Sequence, residues 1–78
     1  MLILMPDESA RTLPGFQTGD PLSLKASRPN ETVGELLDKL NVYRGPNQQI
    51  NTVWTPEGAP MDRNTKVTGN IIAIVKAT

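Results

Sequence analysis

The sequence predicts an α+β domain: a small mixed β-sheet with one helix packed across it. Three observations carry this. Two continuous apolar runs, "MLILM" at residues 1–5 and "IIAIV" at 71–75, stand at opposite ends of the chain. Such runs suit strands buried on both faces or nearly so. Between them lies one amphipathic helical pattern, residues 33–40. One short helix covers one face of a sheet and no more, so the helix across a mixed sheet is the plain solution.

Each element follows from its residues. The run at 1–5 is stopped by Pro6. Residues 6–20, "PDESARTLPGFQTGD", form a long loop with two Pro and two Gly, whose large apolar side chains are Leu13 and Phe16. Leu22, Leu24 and Ala26 alternate with Ser23 and Lys25, the period of a half-buried strand.

In "RPNETVGELLDKLN", Thr32 and Glu35 make a capping box, with Glu35 reaching back to a free N–H. Val33, Leu36, Leu37 and Leu40 form one stripe. Glu31 and Glu35 sit near the positive end of the helix dipole and Lys39 near the negative end. Gly34 weakens the helix by about 1 kcal/mol against Ala. Close packing of the first turn on the sheet explains it. The helix is expected to end near Asn41.

After the loop "YRGPNQQ", Ile50, Val53 and Trp54 mark a short strand at 50–54, bounded by the turn "TPEGAP". Residues 61–70 read as an irregular connection with one helical turn. Gly69-Asn70 favours a turn with positive φ. Residues 71–75 are then β-branched almost throughout. The order is strand, strand, helix, strand, strand, in one domain spanning 1–78.

That order resembles the β-grasp fold (ββαββ) of ubiquitin-like proteins, a group that includes the small sulfur carriers of thiamin and molybdopterin synthesis. The resemblance rests on the strand pair at 1–5 and 21–26 and on "TVGELLDKL", similar to the T-V-x-E-L-L-x-x-L helix start of those carriers. It rests also on the closing pattern of Asp62, Thr65, Val67 and Ile71–Val75, where a last strand follows a turn and pairs with the first. Carriers end in Gly-Gly, because their tail must thread a narrow activating site. Here Lys76-Ala77-Thr78 follows the strand directly. The resemblance therefore implies a non-catalytic interaction module, a small subunit or regulator. The alternative is a degenerate or precursor sulfur carrier or modifier.

Composition narrows the chemistry. Eight Lys plus Arg balance eight Asp plus Glu, with no block of like sign, so nothing draws the chain to nucleic acid or an anionic membrane. There is no Cys and no His, which removes the commonest general bases, thiol nucleophiles and soft metal ligands. Asp7-Glu8 is a solvated loop edge rather than a hard-cation site. Asp62 and Arg63 form a local ion pair or face water. The serines have no base to activate them. The expectation is no enzyme, no catalytic residue, no cofactor and no metal.

Tyr43-Arg44 and Trp54 offer a stacking surface, but the simpler placement is Trp54 in or near the core and Tyr43 over the helix end. "MLILM" is too short for a signal h-region and lacks a basic flank. No stretch nears the roughly 20 apolar residues of a bilayer span. A cytoplasmic protein is expected.

The remaining candidate is a surface. With one helix on one face, each apolar strand presents every second side chain to the other face. About five apolar side chains are left there. Either Leu13 and Phe16 fold back from the loop to cover them, or the patch binds another protein or a second copy. A loop that partly covers the patch and moves aside on binding combines the two. The candidate interaction residues are Met1, Ile3, Met5, Phe16, Ile72 and Ile74. Edge-strand pairing through 22–26 or 50–54 is a further route.

Overall fold

Alternation along the two apolar runs sets the sheet in the computed structural model, which describes residues 1–77. Strand β1 (Leu2–Pro6) is central. β2 (Leu22–Leu24) lies antiparallel on one side and β3 (Ile71–Val75) parallel on the other. Leu2 and Leu4 are fully buried, as are Ala73 and Val75 beside them. Gly69, at φ 67°, turns the chain into β3, as the Gly69-Asn70 pair predicts.

Helix α1 (Val33–Asn41) covers that buried face. Thr32 caps it: its hydroxyl oxygen accepts the Glu35 N–H at 3.2 Å. The reciprocal half of the box differs from expectation. Glu35 takes the Thr32 hydroxyl at 3.2 Å rather than a backbone N–H, and its other oxygen pairs with Arg28. Two further N–H groups of the first turn are satisfied from outside. Val33 donates to the Thr65 carbonyl at 2.9 Å and Gly34 to the Arg63 carbonyl at 2.8 Å. A Cβ on Gly34 would stand 3.0 Å from the Cβ, Nε and carbonyl oxygen of Arg63. The close packing predicted for Gly34 is therefore against the 62–65 connection, not the sheet.

The sheet has three strands rather than four. Residues 50–54 form no ladder. Trp54 alone bridges Ile74, exchanging N–H···O bonds of 2.9 and 2.6 Å, and also bridges Pro60. No helical turn forms in 61–70. A 3-10 turn forms instead at Ser9–Thr12, where the Asp7 carboxylate accepts Ser9 Oγ at 2.6 Å and the Ala10 N–H at 3.0 Å. The Ser9 hydroxyl holds the Asp7 carboxyl below its usual value, with the Ala10 and Ser9 N–H groups adding to the effect. Asp7 is thus a turn cap.

The long loop enters the core. Ala10 and Phe16 are fully buried in one cluster with Leu2, Leu4, Val33 and Leu37, and Leu13 packs against it. Neither Leu13 nor Phe16 covers the outer sheet face, which corrects the expected placement of Phe16 as an interaction residue. Arg44 holds the loop there. Its Nη1 donates to the Pro14 carbonyl at 2.9 Å, its Nε to Gln48 at 2.6 Å, and its guanidinium lies 5.9 Å from the Phe16 ring centre.

Two buried polar side chains tie the periphery together. Asn41 offers both halves of its amide to the Ile50 backbone: Nδ2 donates to the carbonyl at 3.0 Å and Oδ1 accepts the N–H at 2.9 Å. Glu31 is fully buried and receives Lys39 Nζ at 2.6 Å and the Ser27 N–H at 3.1 Å, with Arg28 at 3.4 Å. The Lys39 ammonium first, then the Ser27 N–H, bring its carboxyl down to about 2.

Candidate protein-interaction face

The parallel register of β1 and β3 places Ile3 beside Ile72 and Met5 beside Ile74. Their immediate neighbours along each strand, Leu2, Leu4, Ala73 and Val75, point to the helix. Strand alternation therefore turns Ile3, Met5, Ile72 and Ile74 to the opposite face. Met1 continues the row on β1.

The structure thus brings together five of the six predicted residues. Ile72 is 49% exposed and Met1 42%. Ile3, Met5 and Ile74 are half-buried, and none of the five belongs to the helix-side core. Phe16, the sixth, lies inside that core.

Two cross-sheet rows form. One runs Ser23, Ile3, Ile72; the other runs Met5, Ile74, Trp54. Trp54 was not among the predicted face residues. It is half-buried, and Lys76 Nζ sits 4.9 Å from its ring centre. At that distance a cation–π contact adds roughly 0.5–1 kcal/mol for a partly exposed pair. The place of Trp54 follows from the bridge to Ile74, a long-range pairing that no local pattern in residues 50–54 signals. Tyr43, Arg44 and Trp54 make no common stacking surface. Arg44 is engaged with the loop, whereas Tyr43 projects from the helix end, 89% exposed.

Among its described residues the face carries no acid–base pair. A cleft of about 380 Å³ opens beside Trp54, lined by Leu13, Gln48, Asn51, Thr52 and Lys76 among others. It offers amides, one hydroxyl and one ammonium. Among the described residues, no three His, Cys, Asp or Glu side chains are grouped to hold a metal ion. Arg63 pairs with Asp38 at 2.6 Å, not with its neighbour Asp62, which instead accepts the Asn64 N–H at 2.8 Å. No described helix is long and apolar enough to cross a membrane.

No protein-family model matches the chain, and no curated protein or solved structure matches it either.

Proposed function

We propose that the chain is a non-catalytic, ubiquitin-like interaction module of the β-grasp type, which binds another protein through the outer sheet face. The fold part of this reading is supported by topology. An antiparallel β1–β2 pair precedes the helix, and the last strand returns parallel to the first. The Trp54 bridge lies on the far side of β3, where a fourth strand would sit.

The observation that carries the function is the composition of the uncovered face. Met1, Ile3, Met5, Ile72 and Ile74 adjoin one another there, and the loop that might have roofed them packs in the core instead. Burying an isoleucine fully is worth roughly 1.5–3 kcal/mol. A partner that finishes the burial gains about half of that at Ile72 and at Met1, and a smaller part at Ile3, Met5 and Ile74, which the fold already covers in part.

The test compares the wild-type chain with Ile72→Asp and with Lys66→Gln, a change on the helix side. Each is used for capture from the native source with mass spectrometry, and for sedimentation at rising concentration. Ile72→Asp is expected to lose the partner, or the self-association, with its circular dichroism unchanged, while Lys66→Gln retains it. A partner that survives Ile72→Asp, or a wild-type chain that stays monomeric and retains nothing, refutes the reading.

A further inference from the structure

The chain segments that part beyond Trp54 leave a cleft whose chemistry the fold does not use. We infer that this cleft binds a small polyhydroxylated carboxylate, an acidic monosaccharide. The inference does not rest on the outer-face reading.

The cleft exists because a ladder stops. Trp54 and Ile74 exchange two backbone hydrogen bonds as an antiparallel pair. In that register Thr52 and Lys76 come next, two residues back on one side and two on along the other. No backbone hydrogen bond joins them. Both instead line the cleft of about 380 Å³.

Each wall is pinned from outside. Asn41 holds the backbone of buried Ile50, and Arg63 Nη1 holds the Asn51 carbonyl at 2.8 Å. Arg44 Nε holds the Gln48 carbonyl at 2.6 Å, and Gln49 Nε2 donates to the carbonyls of Asn41 and Arg44 at 3.1 and 3.0 Å. On the other wall the Ala77 N–H donates to Ser9 Oγ at 3.0 Å, which ties the chain after β3 to the Ser9 turn. The fold itself therefore keeps the gap open. A site formed in advance costs its ligand little ordering.

The lining selects the ligand. Among the described residues no hydrogen bond engages the side chains of Asn47, Gln48 or Thr52, and Asn51 spends only Oδ1, on Asn41 at 3.3 Å. Amides and a hydroxyl both donate and accept. Their complement does both at several adjacent atoms, as a ring of hydroxyl groups does. Trp54 adds an apolar plane for the C–H face of a sugar ring.

Charge fixes the class of sugar. No carboxylate lines the cleft. Lys76 takes part in none of the ion pairs among the described residues, and its Nζ stands 4.9 Å from the Trp54 ring centre. The ring and the cation thus form one unit. Asp7 senses the Lys76 charge from outside the lining, but its carboxylate already accepts Ser9 Oγ and the Ala10 N–H. One ammonium, with no guanidinium and no helix N-terminus in the lining, matches the single charge of a carboxylate better than the double charge of a phosphate.

The probe is glucuronate, titrated into the whole chain at constant pH and ionic strength. Binding is followed by the fluorescence of Trp54, the chain's one tryptophan, and by amide NMR. Saturable binding is expected with Kd of about 1–10 mM, the range for a ligand of this size in an open cleft. Shifts should appear at the side-chain amides of Asn47, Gln48 and Asn51, at the Trp54 indole N–H and at the backbone of Thr52 and Lys76, with none at Ile72. Glucose lacks the charge and acetate lacks the hydroxyls, and each should bind about tenfold more weakly or worse. Lys76→Gln should bring glucuronate level with glucose, whereas Lys76→Arg keeps the preference. Thr52→Val, at an exposed position, should weaken binding a few-fold.

No saturable change at about 50 mM glucuronate overturns the inference. So does glucose that binds as tightly as glucuronate, or acetate that does so, which would leave only an adventitious anion on one lysine. AMP binding more tightly than glucuronate would assign the cleft to a nucleotide and overturn it too. Binding unchanged in both Lys76→Gln and Thr52→Val, or shifts centred on Ile3 and Ile72, would place the sugar elsewhere with the same result. Ile72→Asp should bind glucuronate as the wild type does, so this inference and the outer-face reading fail separately.

Discussion

Gly34→Ala sets helix propensity against packing, and the structure decides the sign. Alanine is favoured over glycine in a helix interior by about 1 kcal/mol, and by less at the first turn. Against this stands the Arg63 contact. The new Cβ would meet the Cβ, Nε and carbonyl oxygen of Arg63 at 3.0 Å, closer than carbon atoms pack at their optimum of about 3.5–4.0 Å.

Relief requires Arg63 to move, and Arg63 is held from several sides. Its carbonyl accepts the Gly34 N–H at 2.8 Å, and its guanidinium donates to the Asn51 carbonyl at 2.8 Å and to Asp38 at 2.6 Å. Two residues on, the Thr65 carbonyl accepts Val33. Overpacking of a held contact costs about 1–3 kcal/mol, so after a propensity gain of less than about 1 kcal/mol the net change is a loss of up to about 2 kcal/mol. For a domain of this size that lowers Tm by roughly 4–8 °C per kcal/mol. Thermal and urea unfolding followed by circular dichroism measure it, with m unchanged if the folded state is intact. A Tm equal to or above wild type would mean that the 62–65 connection yields freely, and the argument for Gly34 would be wrong.

Three further outcomes follow from the buried groups. Phe16→Ala should cost about 3–5 kcal/mol as a core truncation, a large part of the roughly 4–12 kcal/mol available to a chain this long; a cost under 1 kcal/mol in urea unfolding would place Phe16 outside the core. Asn41→Ala strands the N–H and C=O of Ile50, at about 1–3 kcal/mol for each buried orphan, and hydrogen exchange at the Ile50 amide should accelerate well beyond that at Leu4. Glu31 titrates lower in the folded chain, at about 2, than its ordinary 4.5. Its contribution is therefore complete above about pH 4.5 and is lost as the pH falls toward 2, so Tm should fall through that window in wild type and distinctly less in Glu31→Gln; parallel Tm profiles would contradict this.

The helix was legible almost to the residue, because its signals are local: a cap at Thr32, a stripe at Val33, Leu36, Leu37 and Leu40, and an end near Asn41. β1 and β3 were legible because both are apolar on consecutive positions. The proposed strand at 50–54 was misread for a physical reason. Ile50 and Val53 are both buried, and they are three residues apart, whereas a strand sends residues to one face at intervals of two. That spacing signals an irregular segment plugging the core. Glu31 reads in the sequence as a carboxylate answering the helix dipole, and its complete burial depends on Lys39, Ser27 and Arg28 converging, which no single local pattern reveals. The pairing of Asn41 with Ile50 is likewise a long-range match between a polar side chain and an unladdered backbone.

The outer face stays open because the loops' apolar side chains are spent elsewhere. The helix is nine residues long, about 14 Å at 1.5 Å per residue, and it cannot close every side of the layer beneath it. Ala10, Phe16, Ile50, Val53 and Val67 all come from outside the strands and the helix, and all are buried in the helix-side cluster. With these filling the margins around α1, Trp54 is the loop residue that bridges Ile74 on the far side of β3. A sheet apolar on both faces, served by loops whose buried apolar side chains pack on only one, leaves Ile72 and Met1 exposed on the other.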